Sequence, residues 1–521
     1  MPASTKKRRN LPFEVSLNLV VIYTDNPFNK IFLTASLFLT VLFFHVHAST
    51  VKLDQQLQKS HELVFSLRFD EANAMLNAQS QQDEVVIGQR VEIAFLKTYM
   101  NERQDDYDLF MSASEELINH LKHDHQKNSD PYNGFLTART LLYQTIIEIK
   151  FHHHINAAWS LRSAFLTIEK NKQSFPGFLP NYMVSGALQC MIGAVPSNYE
   201  WLLSLAGVHG SISQGRNELV RLLSLLPYSN YACYTDDVLF MLASLQSSLF
   251  PDWTFPAVFE KAISSRAASS GLLLYAYTSL LMKQSRNDDA LALLNQWSIS
   301  KQEYPFYFLY YRRGLARLRK LDFNSENDFK IFLNAYRGVS YRNAALQKLS
   351  WIYLLQHDKE AYFKFIGQCK SDEDLFLDED REAVSEAFSG KIPSVSLLKS
   401  RLLFDGGYFK EALREILSVR ITTLQSDDQR LEYHYRKARI NQGLKNIEFA
   451  KQGYQLTLLC GKNSANYFAA NSALLLAGIY ESMNKKDSAL IYYKECLSMR
   501  HHTYQNSIDQ KAKAGIDRLK N

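Results

Sequence analysis

The segment "NSALLLAGIYESMNKKDSALIYYKECL", residues 471–497, decides the fold. Its apolar residues recur every three or four positions on both sides of the polar stretch 482–487, which predicts two helices joined by a turn. Ala477 in the first helix and Ala489 in the second are twelve positions apart. Small side chains at facing positions let two antiparallel helices approach closely, while Tyr493, four residues further on, fills the gap to the next unit. The segment therefore predicts a helical hairpin that needs neighbouring hairpins to bury its apolar faces.

Two upstream segments, "SLLKSRLLFDGGYFKEALREIL" and "YHYRKARINQGLKNIEFAKQGYQL", repeat this pattern. The small residues of the three second helices are Ala412, Ala450 and Ala489, at intervals of 38 and 39 residues. Each has a small partner twelve positions earlier, namely Ser400, Ala438 and Ala477. Looser copies lie around Ala72, Ala290 and Ala361. Such internal periodicity is typical of stacked repeat architectures.

The last unit resembles a tetratricopeptide repeat. The residues that fall at the key positions of that family are Leu476, Ala477, Tyr480, Ala489, Tyr493 and Cys496. The intervals exceed the roughly 34 residues of the family, so we expect longer loops between units. We predict an all-α protein, an α-solenoid of helix-turn-helix units like tetratricopeptide repeats.

Composition agrees with a helical class and argues against a nucleic-acid partner. The chain has 521 residues, of which 46% are hydrophobic, with only 20 glycines and 12 prolines. The net charge is +6, but five Lys or Arg against two acids precede Ile31, so the remainder is nearly balanced. No basic stripe remains of the kind that binds a polyanion.

The N-terminus carries the pattern of an export signal. A basic cluster, residues 6–9, precedes the uncharged apolar run "IFLTASLFLTVLFFHV", residues 31–46. This run is short for a bilayer span, and residues 46–48 approximate a small-x-small cleavage pattern, so we expect cleavage after Ala48. An uncleaved signal anchor or a buried helix are the alternatives. Residues 1–48 are therefore predicted to be a signal peptide or signal anchor, and the protein to be periplasmic or membrane-anchored at the cell envelope.

We predict three further regions. Residues 49–370 form an N-terminal and central region of degenerate hairpins, residues 371–393 an acidic connecting segment, and residues 394–521 the C-terminal repeats. The acidic run "SDEDLFLDEDRE", residues 371–382, lacks the central glycine and alternating ligands of a calcium loop. We interpret it as a solvated face at a break in the solenoid.

A glycine-rich stretch, residues 186–215, interrupts the helical pattern. It matches neither Gly-x-Gly-x-x-Gly nor a phosphate-binding loop ending in Gly-Lys-Ser/Thr, and its flanks are helical. We therefore expect structural glycines, with one helix ending near Ala194, Pro196 opening the next, and Gly207 and Gly210 permitting a tight reversal.

The same stretch is similar to the signature of the tetratricopeptide repeat protein 39 and inclusion body clearance family. The residues that hold its frame are Gly186, Pro196, the helix 201–203, Gly207, Gly210 and Gly215. The resemblance implies a non-enzymatic helical scaffold or adaptor. It does not carry a cellular location, and the export signal suggests a bacterial relative with an envelope role.

The sequence offers no supported catalytic or metal site. His120, His123 and Asp124 share a predicted helix face, but a zinc site needs further ligands. The run 152–154 is three consecutive histidines, which point in different directions around a helix. The five cysteines show no paired spacing, so we interpret most of them as core residues. We predict no enzyme activity, no cofactor and no metal.

The remaining opportunity for function is the concave face built from the first helix of each unit. Counting from the small residues, the side chains predicted to face it are Glu432, Tyr435, Arg439, Gln442, Asn471 and Glu481. A mixed polar groove suits a protein or peptide segment. We expect a scaffold that binds protein partners, with membrane attachment through the N-terminal segment if it is retained. The alternative is a solute- or glycan-binding module of a nutrient uptake system.

Overall fold

A computed structural model describes residues 53–520 except 124–128, 196–200, 202, 204–206, 250–255, 372–374 and 376. The predicted export segment, residues 1–48, lies outside the described residues. Every regular element among those described is a helix, which confirms the all-α prediction.

The helices follow one another with short connections. The first twelve are α1 (Gln55–Phe65), α2 (Phe69–Asn77), α3 (Glu84–Asn101), α4 (Gln104–His123), α5 (Pro131–Lys150), α6 (His154–Ser174), α7 (Pro180–Gly193), α8 (Ile212–Leu225), α9 (Thr235–Leu249), α10 (Ala257–Ala267), α11 (Gly271–Lys283) and α12 (Asn287–Gln296). The others are α13 (Phe308–Arg319), α14 (Ser325–Ala335), α15 (Arg342–Leu355), α16 (Lys359–Ile366), α17 (Asp378–Ser389), α18 (Val395–Asp405), α19 (Phe409–Ser418), α20 (Asp427–Gly443), α21 (Ile447–Gly461), α22 (Phe468–Ser482), α23 (Lys486–Ser498) and α24 (Gln505–Lys520).

Consecutive helices pack in pairs, as the repeat pattern predicts. The strongest pairings include α5 with α6, α15 with α16, α18 with α19, α20 with α21, and α22 with α23. The small residues sit at the centre of these pairs, because Ser400, Ala412, Ala438, Ala450, Ala477 and Ala489 are all fully buried. The α-solenoid prediction is confirmed.

One turn recurs through the described chain. In eight hairpins the residue two positions after the first helix has a positive φ, at Leu67, His152, Ser285, Leu321, His357, Gly407, Lys445 and Asn484. In each, the next backbone N–H donates to the carbonyl five residues earlier, at 2.8–2.9 Å, for example Arg68 to Leu63 and Lys485 to Tyr480. This is the six-to-one bond of the Schellman motif. It marks hairpins from α1–α2 onward, including those whose sequence repeats are weak.

The glycine-rich stretch brings two helices into close contact. A Cβ atom added at Gly215 in α8 would lie 2.4 Å from the carbonyl oxygen of Gly186 in α7. One added at Gly210 would lie 2.6 Å from Cβ of Ile192. Gly207 has a φ of +62°. The prediction of structural glycines is confirmed for these positions, whereas Pro196 lies outside the described residues.

The acidic segment 371–393 differs from the predicted connector. Its residues Asp378–Ser389 form α17, which packs against α15. The buried carboxylate of Asp380 accepts the backbone N–H groups of Tyr341 and Ala344, at 2.6 and 2.9 Å. Asp380 therefore caps the start of α15 and connects α17 to it.

The described helices also close onto one another over long distances. Ser270 and Tyr304 donate hydrogen bonds to the carbonyls of Phe65 and Leu67 at the end of α1, at 3.1 and 2.7 Å. Near the other end of the chain, the Gln510 amide in α24 donates to the carbonyl of Ala194, at 2.5 Å. None of the helices in the described residues combines the length and apolarity needed to span a bilayer.

The recurring turn predicts opposite effects of substitution at equivalent positions. Replacing His357, an exposed residue with φ of 67°, by Gly should stabilise the protein by about 1 kcal/mol, because glycine adopts this conformation without strain. Replacing Gly407, with φ of +83°, by Ala should destabilise it by about 1–3 kcal/mol, since the new Cβ would also lie 2.3 Å from the Ser285 carbonyl oxygen. Urea unfolding of both variants measures the two changes, and equal signs would contradict the assignment of one common turn.

Candidate partner-binding cleft

A cleft of about 1010 Å³ lies on the C-terminal part of the described chain. Its walls come from α17, the segment 389–394, residues of α18 and α20, the start of α22, the segment 459–467, and residues 503–504 just before α24. The helices α18, α20 and α22 are the first helices of three successive hairpins, and α24 follows the last of these hairpins. The cleft therefore lies along their N-terminal ends, on the face that the repeat pattern predicts to be concave.

Charges of both signs line this cleft. Its basic residues are Arg381, Lys391, Arg401, Arg436 and Lys462, and its acidic residues are Asp378, Glu382, Glu386, Asp428 and Glu432. The rim is held by ion pairs and amide contacts: Lys391 lies 3.0 Å from a carboxylate oxygen of Asp428, whose other oxygen accepts the Asn466 amide at 2.9 Å. These contacts connect the α17–α18 segment to α20 and to the start of α22.

The floor of the cleft is a fixed polar network around Trp351, which is 2% exposed. The Trp351 indole N–H donates to the Glu386 carboxylate at 2.9 Å, and the same carboxylate accepts the Tyr362 hydroxyl at 3.0 Å and the Gln347 amide at 2.7 Å. The Lys348 ammonium lies 3.8 Å from the indole centre. The floor is therefore rigid, since each polar group on it already has a partner.

The electrostatics of the floor follow from burial. Burial lowers the pKa of Lys348 to about 8, with Arg401 adding to the effect and Glu382 opposing it. Burial alone would raise the pKa of Glu382, but Arg401, 2.7 Å away, lowers it to about 2. The hydroxyl of Tyr504, the residue just before α24, also donates to Glu382. Glu382 and Arg401 thus form a stable ion pair that joins α17, α18 and α24.

The structure brings three of the six predicted groove residues together. The hydroxyl of Tyr435 accepts the Asn471 amide at 2.6 Å and an Arg439 N–H at 3.4 Å. Glu432 lines the cleft and lies 2.5 Å from Arg436 one turn on. Glu432 is thus a cleft residue, whereas Arg439 and Asn471 contact the Tyr435 hydroxyl and are not among the residues that line the cleft.

The other predicted residues lie elsewhere. Gln442 accepts the Tyr454 hydroxyl within its own hairpin, at 2.5 Å. Glu481 forms two 3.0 Å contacts with Arg518 of α24. Burial alone would raise the pKa of Glu481, but Arg518 lowers it below its usual value. Both side chains therefore fasten helices to one another.

Tyr435 does not present its ring to a partner, which corrects the prediction. It is fully buried, with its ring 5.0 Å from Phe468 and 5.6 Å from Tyr467 across the α20–α22 interface. A helical repeat defines which residues share a face, but the width of the stripe covered by the next hairpin depends on how the helices cross. Tyr435 falls inside that stripe.

Several cleft residues were not predicted. Arg381, Ser385 and Lys391 belong to or follow α17, which the sequence indicated as a connector. Tyr467 and Tyr504 immediately precede α22 and α24. These residues could have been predicted from their position in the repeat. Residues at the starts of the first helices share one end of the concave face, whatever their distance in sequence from the small residues.

A second polar cluster is buried in the N-terminal half. His61 of α1 lies 2.8 Å from Asp237 of α9 through Nε2 and 3.4 Å from Glu92 of α3 through Nδ1. Arg139 of α5 lies 3.5 Å from the same Glu92 oxygen, and the Tyr143 hydroxyl donates to the other at 3.2 Å. All of these side chains are buried. The cluster joins four helices from distant parts of the sequence.

The residues His61, Glu92 and Asp237 offer the donor types of a metal site, with ligand atoms within 4.8 Å of one another. Their geometry fits an ion-pair network better. The His61 nitrogen is at hydrogen-bond distance from Asp237, and the Arg139 guanidinium already supplies a positive charge next to Glu92. A cation here would be repelled by Arg139. We interpret the cluster as a structural charge network.

The two groups of histidines noted in the sequence lie near opposite ends of α4. The ring of His153 lies 2.8 Å from Glu148 and 3.0 Å from the Tyr107 hydroxyl, and it joins α4 to α5 and α6. His120 and His123 lie near the end of α4, and Asp124 lies outside the described residues.

The fold and the cleft define a helical-repeat protein with an open recess of mixed charge. Comparison with protein-family models and with curated proteins finds no match.

The buried cluster predicts a pH-dependent contribution to stability. Burial alone would lower the pKa of His61, but Asp237 and Glu92 raise it well above 6.5. A pKa raised by folding stabilises the native state fully below the unfolded value and loses that effect as the pH rises through the folded value. His61→Gln should therefore cost about 3–5 kcal/mol at pH 6 and less at pH 9. Urea unfolding at both pH values measures the difference.

The control for this prediction is His123→Gln, which changes an exposed histidine at the end of α4. It should leave the free energy of unfolding unchanged at both pH values. A cost of His61→Gln that is the same at pH 6 and pH 9 would show that the imidazole acts there without its charge.

Proposed function

We propose that the protein is a non-enzymatic helical-repeat scaffold that holds a segment of a partner protein in the cleft. The observation that carries the proposal is the cleft itself, about 1010 Å³ in volume, at the aligned N-terminal ends of α18, α20, α22 and α24. The neighbouring hairpins leave the cleft open instead of filling it with side chains.

The chemistry of the rim favours a peptide segment. Lys391, Asp428 and Asn466 supply donors and acceptors at one edge, and the rings of Tyr467 and Tyr504 lie 5.1 Å apart at another. A peptide offers backbone donors and acceptors together with side chains, which such a mixed surface can match. The alternation of charge also selects the orientation of the bound segment.

The state of the acidic residues supports binding over catalysis. Glu382 is committed to Arg401 and Tyr504, and Glu386 to Trp351, Tyr362 and Gln347. A general acid or base has to exchange its proton with a substrate, whereas these carboxylates hold helices in position. The floor thus acts as a support for the rim.

The proposed location is the cell envelope. It rests on the basic cluster 6–9 and the apolar run 31–46, which lie outside the described residues. Partner proteins are then expected among exported or membrane proteins.

Filling the cleft tests the proposed binding role. Ser385 is an exposed cleft residue on α17, so Ser385→Trp should obstruct the recess without disturbing the core. Peptides selected from a random library on the full chain should bind the variant at least tenfold more weakly, as measured by fluorescence anisotropy. A parallel glycan array tests the alternative of a solute-binding module.

The matched control is Ser418→Trp, which adds the same ring to an exposed serine of α19 outside the cleft. It should bind the selected peptides as the unmodified chain does. Selection of no peptide, or equal binding by both variants, would refute the peptide-binding role, and glycan binding lost only in Ser385→Trp would replace it with the alternative.

The export proposal has a separate test. A full chain tagged at its C-terminus should appear in the envelope fractions of its native cell, and deletion of residues 31–46 should move it to the cytosol, because that run supplies the apolar core of the signal. Recovery of the undeleted chain from the cytosol with its N-terminus intact would contradict export.

A further inference from the structure

The other end of the concave face carries a cluster of cationic side chains. Lys283 and Arg319 are the last residues of α11 and α13, Arg439 lies one turn before the end of α20, and Lys511 belongs to α24. Lys283 interacts electrostatically with Arg439 and Arg319, and Lys511 interacts with Lys283 and Arg439. We call these four residues the cation cluster.

Packing of the helix ends holds this cluster in place. A Cβ atom added at Gly406, just after α18, would lie 3.1 Å from Cβ of Arg319. One added at Gly407 would lie 2.3 Å from the carbonyl oxygen of Ser285, just after α11. The ends of α11, α13 and α18 are therefore in direct contact, which fixes the backbone positions of Lys283 and Arg319 relative to each other.

The cluster has little compensating negative charge. In the described part of the chain, no carboxylate oxygen lies within 4 Å of a charged nitrogen of Lys283, Arg319, Arg439 or Lys511. The acids that act on the cluster from neighbouring elements are Asp405, Asp378 and Glu379. Two of them have cations of their own: Asp405 lies 3.9 Å from Arg401, and Asp378 lies 2.6 Å from Arg381.

Arg439 is oriented by aromatic contacts instead of an acid. Its guanidinium lies 4.4 Å from the ring centre of Phe404 and donates to the Tyr435 hydroxyl at 3.4 Å. A guanidinium held on an aromatic face keeps its remaining N–H groups available for a planar or tetrahedral oxyanion.

The cluster is electrostatically unfavourable without a counter-charge. The side chains of Lys283 and Lys511 are exposed to solvent. Partial desolvation, together with the adjacent cations, lowers the pKa of both lysines. Burial, with Arg312 and Arg401 adding to the effect, also lowers the pKa of Arg319. A cation at a helix C-terminus is usually stabilised by the helix dipole, and this accounts for Lys283 and for Arg319 when each is considered alone. The dipole does not remove the repulsion between these two cations, and it does not account for the position of Lys511 in α24.

We propose that the cation cluster binds a multiply charged oxyanion of the phosphate class. Guanidinium groups match such oxygens in two-point contacts, and ammonium groups add point charges without a fixed geometry. A single carboxylate carries one negative charge and leaves most of this cluster uncompensated. The bound oxyanion would connect α24 to α11, α13 and α20, and it does not depend on peptide binding in the cleft.

The test uses the full chain and inorganic pyrophosphate. Pyrophosphate should bind, as measured by calorimetry, and raise the thermal unfolding midpoint by several degrees relative to sodium chloride of equal ionic strength. The triple variant Lys283→Gln, Arg319→Gln, Lys511→Gln should bind at least 100-fold more weakly. Without oxyanion it should unfold at a higher temperature than the unmodified chain, because the mutual repulsion is gone.

The control variant is Lys301→Gln, Lys359→Gln, Lys410→Gln, which removes the same charge from exposed lysines outside the cluster. It should keep both the affinity and the thermal shift. Equal loss in both variants, a response to ionic strength alone, or no response of the unmodified chain would overturn the proposal. Binding of succinate in place of pyrophosphate, with the same dependence on the cluster, would overturn the phosphate class. Peptide binding by the triple variant separates this result from the cleft.

Discussion

The Schellman turn between paired helices is the constraint on which the rest of the described structure depends. The six-to-one hydrogen bond satisfies a carbonyl at the end of the first helix and reverses the chain, so the second helix starts two residues after the left-handed residue in most of these hairpins. Only Gly407 among the eight is a glycine. The other seven residues adopt a conformation that costs about 1–2 kcal/mol, and packing of both helices maintains it. Because this turn is constant, the first helices stack in register and share one face.

That shared face has two ends with different electrostatics. At the N-terminal ends of α18, α20, α22 and α24, charges are paired across elements, as in Lys391 with Asp428 and Arg401 with Glu382. At the opposite end, the four residues of the cation cluster, Lys283, Arg319, Arg439 and Lys511, lack acidic partners within ion-pair distance in the described chain. Paired charges next to an open recess carry little electrostatic free energy, because each charge is compensated by its partner. Adjacent like charges repel one another, so the binding of an anion between them is electrostatically favourable. One repeat architecture thus presents two chemically different surfaces.

The periodicity of the sequence predicted most of the fold and a small part of the candidate site. The spacing of Ala412, Ala450 and Ala489 defined the hairpins, and of the six residues counted onto the concave face only Glu432 lines the cleft. The same count misplaced Tyr435, since coverage by the next hairpin depends on a crossing angle that no local pattern encodes. Similarly, the acidic run 371–382 resembled a linker because the buried role of Asp380 requires the start of α15, nearly 40 residues away. His61 and Asp237 are 176 positions apart, and no local signal connects them.

The contact between Gln510 and Ala194 bears on the mechanics of the molecule. A stack of hairpins extends like a spring, because small rotations at each interface add up along its length. A hydrogen bond between residues 316 positions apart works in parallel with that series of interfaces. Stretching the stack therefore has to break such ties before the intervening helices can rotate apart, so the elasticity of the protein depends on these long-range contacts as well as on its repeats.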